Sequence, residues 1–398
     1  MTTRPSGASL FSAAAASTAL VLLLAGCASP SPGQAGATAS GTPAPTATRP
    51  AAPEGELPAE VRSALQEVVD QTMAEYAVPG AAVGVWIPGE GSWTSATGLA
   101  DVEKELPVST DMLWPIRSVT KSYTVTLLLQ LVDEGRASLD DTIDQYLDGI
   151  TNGDTITLRE LAGMTSGNAD YTNEDFQDVF AEDPTRIFTL DELNAFALGQ
   201  PALSAPGTKR AYNNANINFL GAVVEKITGQ AYAEVLQERI LDPLGQTGTE
   251  FIVDTTTWGE PHPTGYIVDE GVPVPQEENS SVLQAAGSMF STLEDGRVWA
   301  DTLGEGALVE PSTQSEREQG GPLVTGPPYD LYGLGMGETG GWWGHNGEGL
   351  GFTAAVFHDP KSGASIVVYM NESNIPGVHP ADQTFRRLAA VLATGAGA

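Results

Sequence analysis

The stretch from Ser118 to Asp133 constrains this chain more than any other part of it. Val119, Tyr123, Val125, Leu127, Leu128, Leu129, Leu131 and Val132 lie nearly all round a helix, and Gly135 closes it. A helix apolar on every side must be surrounded, so the fold needs layers of structure around it. The chain has the material, with 398 residues of which 41% are hydrophobic. Leu57, Val61, Leu65, Val68, Val69, Met73 and Tyr76 recur at three- and four-residue steps until Pro79-Gly80, predicting an amphipathic helix. Ala81 to Ile87 and Ser92 to Leu99 predict a hairpin around Pro88-Gly89-Glu90-Gly91. Short strand-like runs return at Leu334 to Met336, Gly341 to His345, Phe352 to His358 and Ala364 to Met370, before an amphipathic stretch from Asp382 to Leu392. The expected fold is α/β in the α+β sense: an antiparallel sheet flanked by N- and C-terminal helices, with an inserted, mostly helical subdomain over about 140–290.

The N-terminal residues form a different regime. Arg4, an apolar run from Leu10 to Leu24 and then Leu24-Ala25-Gly26-Cys27 have the form of an export signal, 1–27. The run is shorter than the roughly 18 residues of a spanning helix and is interrupted by Ser12, Ser17 and Thr18. Cys27 is the single cysteine, which excludes a disulfide framework, and its placement resembles the lipobox of bacterial lipoproteins. That resemblance implies lipidation at Cys27 and a protein held on the outer face of the cytoplasmic membrane, touching the membrane only through that anchor. Residues 28–53 are almost wholly Ala, Pro, Ser, Thr and Gly, with Arg49 the only charge, and 28–56 is expected to be a disordered tether to a domain over 57–398. With 51 acidic against 18 basic residues, a net charge of −33 and no basic cluster, nucleic acid is excluded as a partner and a soluble monomer is expected.

Ser118-Val119-Thr120-Lys121 falls where the buried helix begins. Residues three apart share a helix face, so Lys121 can reach Ser118. A desolvated lysine, partly deprotonated, is a base for an otherwise weak hydroxyl nucleophile, and the helix N-terminus adds its dipole and the Ser118 N–H as an oxyanion donor. Lys121 alone among the five lysines has a serine three positions before it. Two further elements follow, Tyr212-Asn213-Asn214 and His345-Asn346-Gly347, about 95 and 130 residues on in turn.

On these three elements the chain resembles the serine β-lactamase and D-alanyl-D-alanine peptidase superfamily, in its class C-like branch, where the third element reads Lys-Thr-Gly or His-x-Gly. The likeness continues through Pro206-Gly207-Thr208, Thr165-Ser166-Gly167, Gly287 to Thr292 and Tyr332-Gly333-Leu334-Gly335, and covers about 57–395. It implies an acyl-enzyme on Ser118, with Tyr212 relaying a proton beside Lys121 and Asn214 orienting Lys121 and a substrate amide. His345 would serve as general acid or hydrogen-bonding wall, with Asn346 beside it. Gly347 would lie where a substrate backbone passes, and the Glu348 N–H would be the second oxyanion donor. No cofactor and no metal are expected: the four histidines lack ligand spacing, and Gly335-x-Gly337-x-x-Gly340 is followed by Gly341-Trp342-Trp343 where a dinucleotide motif needs a helix.

The implied substrates are cell-wall peptides ending in D-Ala-D-Ala, favoured by compartment and by His345, with β-lactams and esters as alternatives and a non-catalytic cell-wall-binding lipoprotein as a reading of another class. One departure cuts against the carboxypeptidase. Such an enzyme must hold a free carboxylate, and residues 329–356 contain no Lys or Arg, which leaves Arg297 or Arg317 to supply the charge from elsewhere.

Overall fold

A computed structural model describes residues 47–394 apart from Glu270; Cys27 and the expected signal segment lie outside the described residues. Eight strands form one antiparallel sheet. They are β1 (Gly80–Ile87), β2 (Gly91–Asp101), β3 (Leu106–Pro107), β4 (Leu331–Tyr332), β5 (Gly337–Thr339), β6 (Trp342–Gly349), β7 (Phe352–Asp359) and β8 (Ala364–Met370), in spatial order β3-β2-β1-β8-β7-β6-β5-β4. The first strand thus pairs with the last, Ala81 opposite Met370 and Val85 opposite Ile366, at the middle of the sheet.

Both faces are covered, which is why β1 and β8 read as continuous apolar runs where a half-exposed strand would alternate. Ala81, Val83, Val85, Val368 and Met370 point to the face that carries helices α1 (Ala59–Tyr76) and α5 (Pro380–Ala393), where Phe357 stacks on Phe385 at 4.1 Å. Ala82, Trp86, Val367 and Tyr369 point to the other face, packed on α4 (Leu293–Glu305). The all-round apolar helix is α2 (Thr120–Asp133), entered through a 3-10 turn at Arg117–Val119. Tyr123 on α2 stacks on Trp299 of α4 with ring centroids 3.5 Å apart, and α3 (Asn214–Thr228) packs alongside. Its buried hydroxyls stay satisfied because Ser122, Thr124 and Thr126 donate to carbonyls of the preceding turn.

Three expectations need correction. Leu334 to Met336 is a turn between β4 and β5, because Gly335 takes φ +70° and a Cβ there would meet the Val125 Cβ at 2.5 Å. The α-helices of the inserted region end at Leu244, and only short 3-10 turns follow. Beyond Leu244, Met289–Ser291 pairs as a central strand with Trp114–Pro115 on one side and Thr249–Phe251 on the other, and Tyr266–Asp269 forms a hairpin with Val272–Pro275. Finally, residues 47–56 are not free tether. Arg49 donates to the Gly245 carbonyl at 2.7 Å and pairs with Asp295 at 2.8 Å, Pro50 accepts from Arg297, and Glu56 bridges to Ser92 beside the hairpin.

Candidate active site

The site forms where α2, α3 and β6 converge. Lys121 is 0% exposed, and its Nζ lies 3.0 Å from Ser118 Oγ and 2.8 Å from the Ala286 carbonyl, with the Tyr212 ring 5.0 Å away. Burial without a paired carboxylate lowers its pKa to about 7, the Asp170 charge opposing the shift. Near neutral pH about half of such amines are unprotonated. Tyr212 sits on the loop before α3, its N–H held by the Thr325 carbonyl at 3.0 Å. Its hydroxyl is shielded from solvent and has no hydrogen-bond partner, with Ser118 as a polar neighbour, and burial raises its pKa, so it stands as a phenol at neutral pH.

Backbone geometry is tightest at Gly347. A Cβ there would lie 2.9 Å from the Ser118 nitrogen and 2.8 Å from the Arg117 Cβ, with the Ile116 carbonyl oxygen closer still. The close approach foreseen for a substrate is made by the nucleophile turn itself, and only glycine lets β6 lie against it. Strand alternation then orients the donors. The Asn346 N–H points away from β7, to the Tyr329 hydroxyl at 2.9 Å, so the Glu348 N–H two residues on points to the same open side. With the Ser118 N–H this makes a pair of donors suited to an oxyanion.

A cleft of about 670 Å³ opens in front of Ser118, walled by Tyr212, Asn214, Pro327, Asn346, Glu348 and the 374–383 segment. The histidines depart from expectation. His345 does not line it: it is 0% exposed, lies between the Tyr329 and Tyr332 hydroxyls, and burial lowers its pKa to about 3, leaving a neutral ring that braces the wall behind Tyr212. His379, for which the sequence suggested only a structural or surface role, lines the cleft while its Nδ1 caps α5 by accepting from the Asp382 N–H. Asn214 lines the cleft as well, but its Nδ2 donates to Asp170 at 3.2 Å; the group that orients Lys121 is the Ala286 carbonyl. Asp170 is a site residue that sequence reasoning missed, three positions past the Thr165-Ser166-Gly167 element.

Charge in the cleft is one-sided. Arg297 is tied to Glu294, Asp301 and Pro50, and Arg317 to the Ser122 and Leu334 carbonyls, so neither supplies the expected cation. Among the described residues that line the cleft there is no lysine or arginine. Asp382 is neutralised by Arg386 at 2.7 Å, whereas Glu348 is exposed and forms no ion pair among the described residues, its Oε1 accepting only from the Asn374 N–H at 3.1 Å. Arg117, directly before the nucleophile, adopts φ +51°, a left-handed conformation that costs a side-chain-bearing residue about 1 kcal/mol or more. A second Ser/His/Asp grouping, Ser365, His358 and Asp301, is structural: Ser365 is 0% exposed and donates to Asp301.

Behind the cleft, Glu372 is 0% exposed and both carboxyl oxygens lack a partner. Burial, then the Glu348 charge, raise its pKa to about 8. A folded-state pKa above the unfolded value of about 4.3 means native stability is fully present below that value and declines as pH rises through about 8. Glu372→Gln is therefore expected to flatten the melting-temperature profile between pH 5 and 8; a slope equal to that of the wild type would refute the assignment.

Comparison with known proteins follows the same lines. A family model described as Beta-lactamase matches residues 65–391. Protein flp of Staphylococcus aureus (strain N315) is 25% identical over 326 residues, 77% of this chain and 62% of that one; D-aminopeptidase of Brucella anthropi is 28% identical over 316 residues, 78% and 59%. The chain thus spans less than two thirds of the length of these relatives. Among solved structures, a D-stereospecific amidohydrolase from Streptomyces sp. is 27% identical with a TM-score of 0.70, over 82% of this chain and 97% of that one. A D-amino acid amidase from Ochrobactrum anthropi SV3, complexed with L-phenylalanine amide, aligns with a TM-score of 0.75 at 24% identity, over 84% and 99%, a likeness of fold alone. The family match covers most of the sequence and encloses all three motif elements, and so the chain belongs to the beta-lactamase family.

Proposed function

We propose that this chain is a serine amidohydrolase that forms an acyl-enzyme on Ser118 and prefers substrates whose acyl half carries a free, cationic amine. Lys121 takes the Ser118 proton as Oγ attacks the amide carbonyl, the Ser118 and Glu348 N–H groups hold the oxyanion, and Tyr212 returns a proton to the leaving nitrogen. Water then attacks the ester by the reverse relay and restores Ser118. The observation that carries the substrate preference is the charge of the cleft: Glu348 unpaired, and no lysine or arginine among the lining residues described. A free substrate carboxylate would meet repulsion there, and a substrate ammonium would meet a counter-ion. The relatives named as D-aminopeptidase and D-stereospecific amidohydrolase support the same choice, and favour D-configured acyl groups, over the carboxypeptidase suggested by compartment.

Matched anilides test the reading. D-Ala p-nitroanilide is expected to exceed its N-acetyl derivative in kcat/KM by about 10- to 100-fold, the worth of one charge-assisted contact, and Glu348→Gln should erase most of that ratio. Equal rates on the two anilides, with a peptide free acid cleaved faster than its amide, would return the protein to the carboxypeptidases.

A further inference from the structure

Acyl transfer calls for no cation immediately before the nucleophile, yet Arg117 stands there, 0% exposed and in a backbone conformation that glycine would adopt more easily. All three of its guanidinium nitrogens are engaged. Nε donates to the Gly349 carbonyl at 2.9 Å, Nη1 donates to one Glu278 oxygen at 2.9 Å, Nη2 donates to the other, and a longer contact of 3.4 Å runs from Nη2 to the Leu350 carbonyl. Gly349, Leu350 and Gly351 form the positive-φ turn that ends β6 directly after Glu348. Glu278 opens the segment that leads to Ala286, whose carbonyl holds Lys121.

The two oxyanion donors therefore come from chain segments far apart in sequence, and nothing local sets their separation. Gly347 against the Ile116 carbonyl sets the closest approach; the Arg117 side chain ties the turn to the end of the strand through Nε on the Gly349 carbonyl, while its fork is held by Glu278. We propose that Arg117, braced by Glu278, is a positioning residue that sets the width of the oxyanion hole. The inference rests on the acyl-enzyme reading of Ser118.

An oxyanion is stabilised well only when donors stand about 2.7–3.1 Å from it, so slight widening falls on the transition state and spares substrate binding. Lysine keeps the charge and loses the fork. With sites counted by fluorophosphonate titration, Arg117→Lys is expected to lower kcat per titrated site about 100-fold with KM within about threefold, and to weaken a boronic acid inhibitor, whose adduct oxygen enters the hole, by a similar factor. Glu278→Gln, which leaves Arg117 in place but unbraced, should lower kcat about tenfold and serves alone if the lysine variant does not fold. A purely structural role would lower the melting temperature and the number of titratable sites while leaving kcat per site unchanged. A kcat per site within threefold of wild type in either folded variant, or a loss carried by KM, overturns the proposal. Failure of the wild-type protein to label at Ser118 would instead overturn the reading on which it rests.

Discussion

Ser118→Ala is expected to fold normally and to lose about five to six orders of magnitude in kcat, the scale seen when a serine hydrolase loses its nucleophile. The fold should tolerate the change because the side chain is only half-buried and its one bond is to Lys121 at 3.0 Å. What disappears is the atom that makes the acyl bond, so no substrate escapes the loss: anilides, esters and β-lactams fall together. Intact-mass spectrometry with a fluorophosphonate gives the check. Wild type should gain one adduct, mapped to the peptide that carries Ser118, and the variant none. An adduct on the Ser118→Ala protein, or residual turnover above about 1% of wild type, would place the nucleophile elsewhere.

Lys121→Met should cost about three to four orders of magnitude, toward the upper end of what one positioned base contributes. Methionine is straight-chained and apolar, so it fits a position that is 0% exposed with little loss of packing. The pH profile separates this role from a merely structural one. Because burial lowers the Lys121 pKa to about 7, the amine is mostly protonated below that pH and mostly free above it. Wild-type kcat/KM should thus rise with pH through a limb near 7, and the methionine variant should lack the limb. A limb of the same position in the variant would assign the titration to another group, with the cleft-lining His379 the first to test.

How far these residues were legible in the sequence depends on the distance over which each was determined. Ser118 and Lys121 are neighbours by helical geometry alone, and the apolar helix that follows them announces burial, so both the pair and the desolvation of the lysine could be read directly. Tyr212 and Gly347 were legible as motif members, but the reason for the glycine was not: the clash it avoids is with Ile116 and Arg117, which reach it only in the folded state. The lysine's second partner, the Ala286 carbonyl, carries no side-chain signature at all. His345 illustrates the limit of position without orientation, since its place on β6 was correct while its burial between Tyr329 and Tyr332 turned it from participant to brace. The same holds for Arg49, a lone charge in a low-complexity stretch, whose partners Gly245 and Asp295 lie 196 and 246 residues away and make an anchor of what composition alone presents as tether.

The central pairing of the sheet has a consequence for how the molecule comes into being. β1 is complete by Ile87, but its inner neighbour, β8, begins at Ala364, so the hairpin of β1 and β2 waits for a strand translated much later before it can be enclosed. Closing so long a loop makes folding slow and leaves the apolar strand Gly80–Ile87 open to other partners in the meantime. The nucleophile turn inherits the delay, because β6, which completes the oxyanion hole, is held in place by β7 and, through it, β8. The proposed acyl-transfer chemistry accordingly requires the chain through β8: a nascent or clipped form that carries Ser118, Lys121 and Tyr212 but stops short of Ala364 lacks the strand order that holds β6 against them.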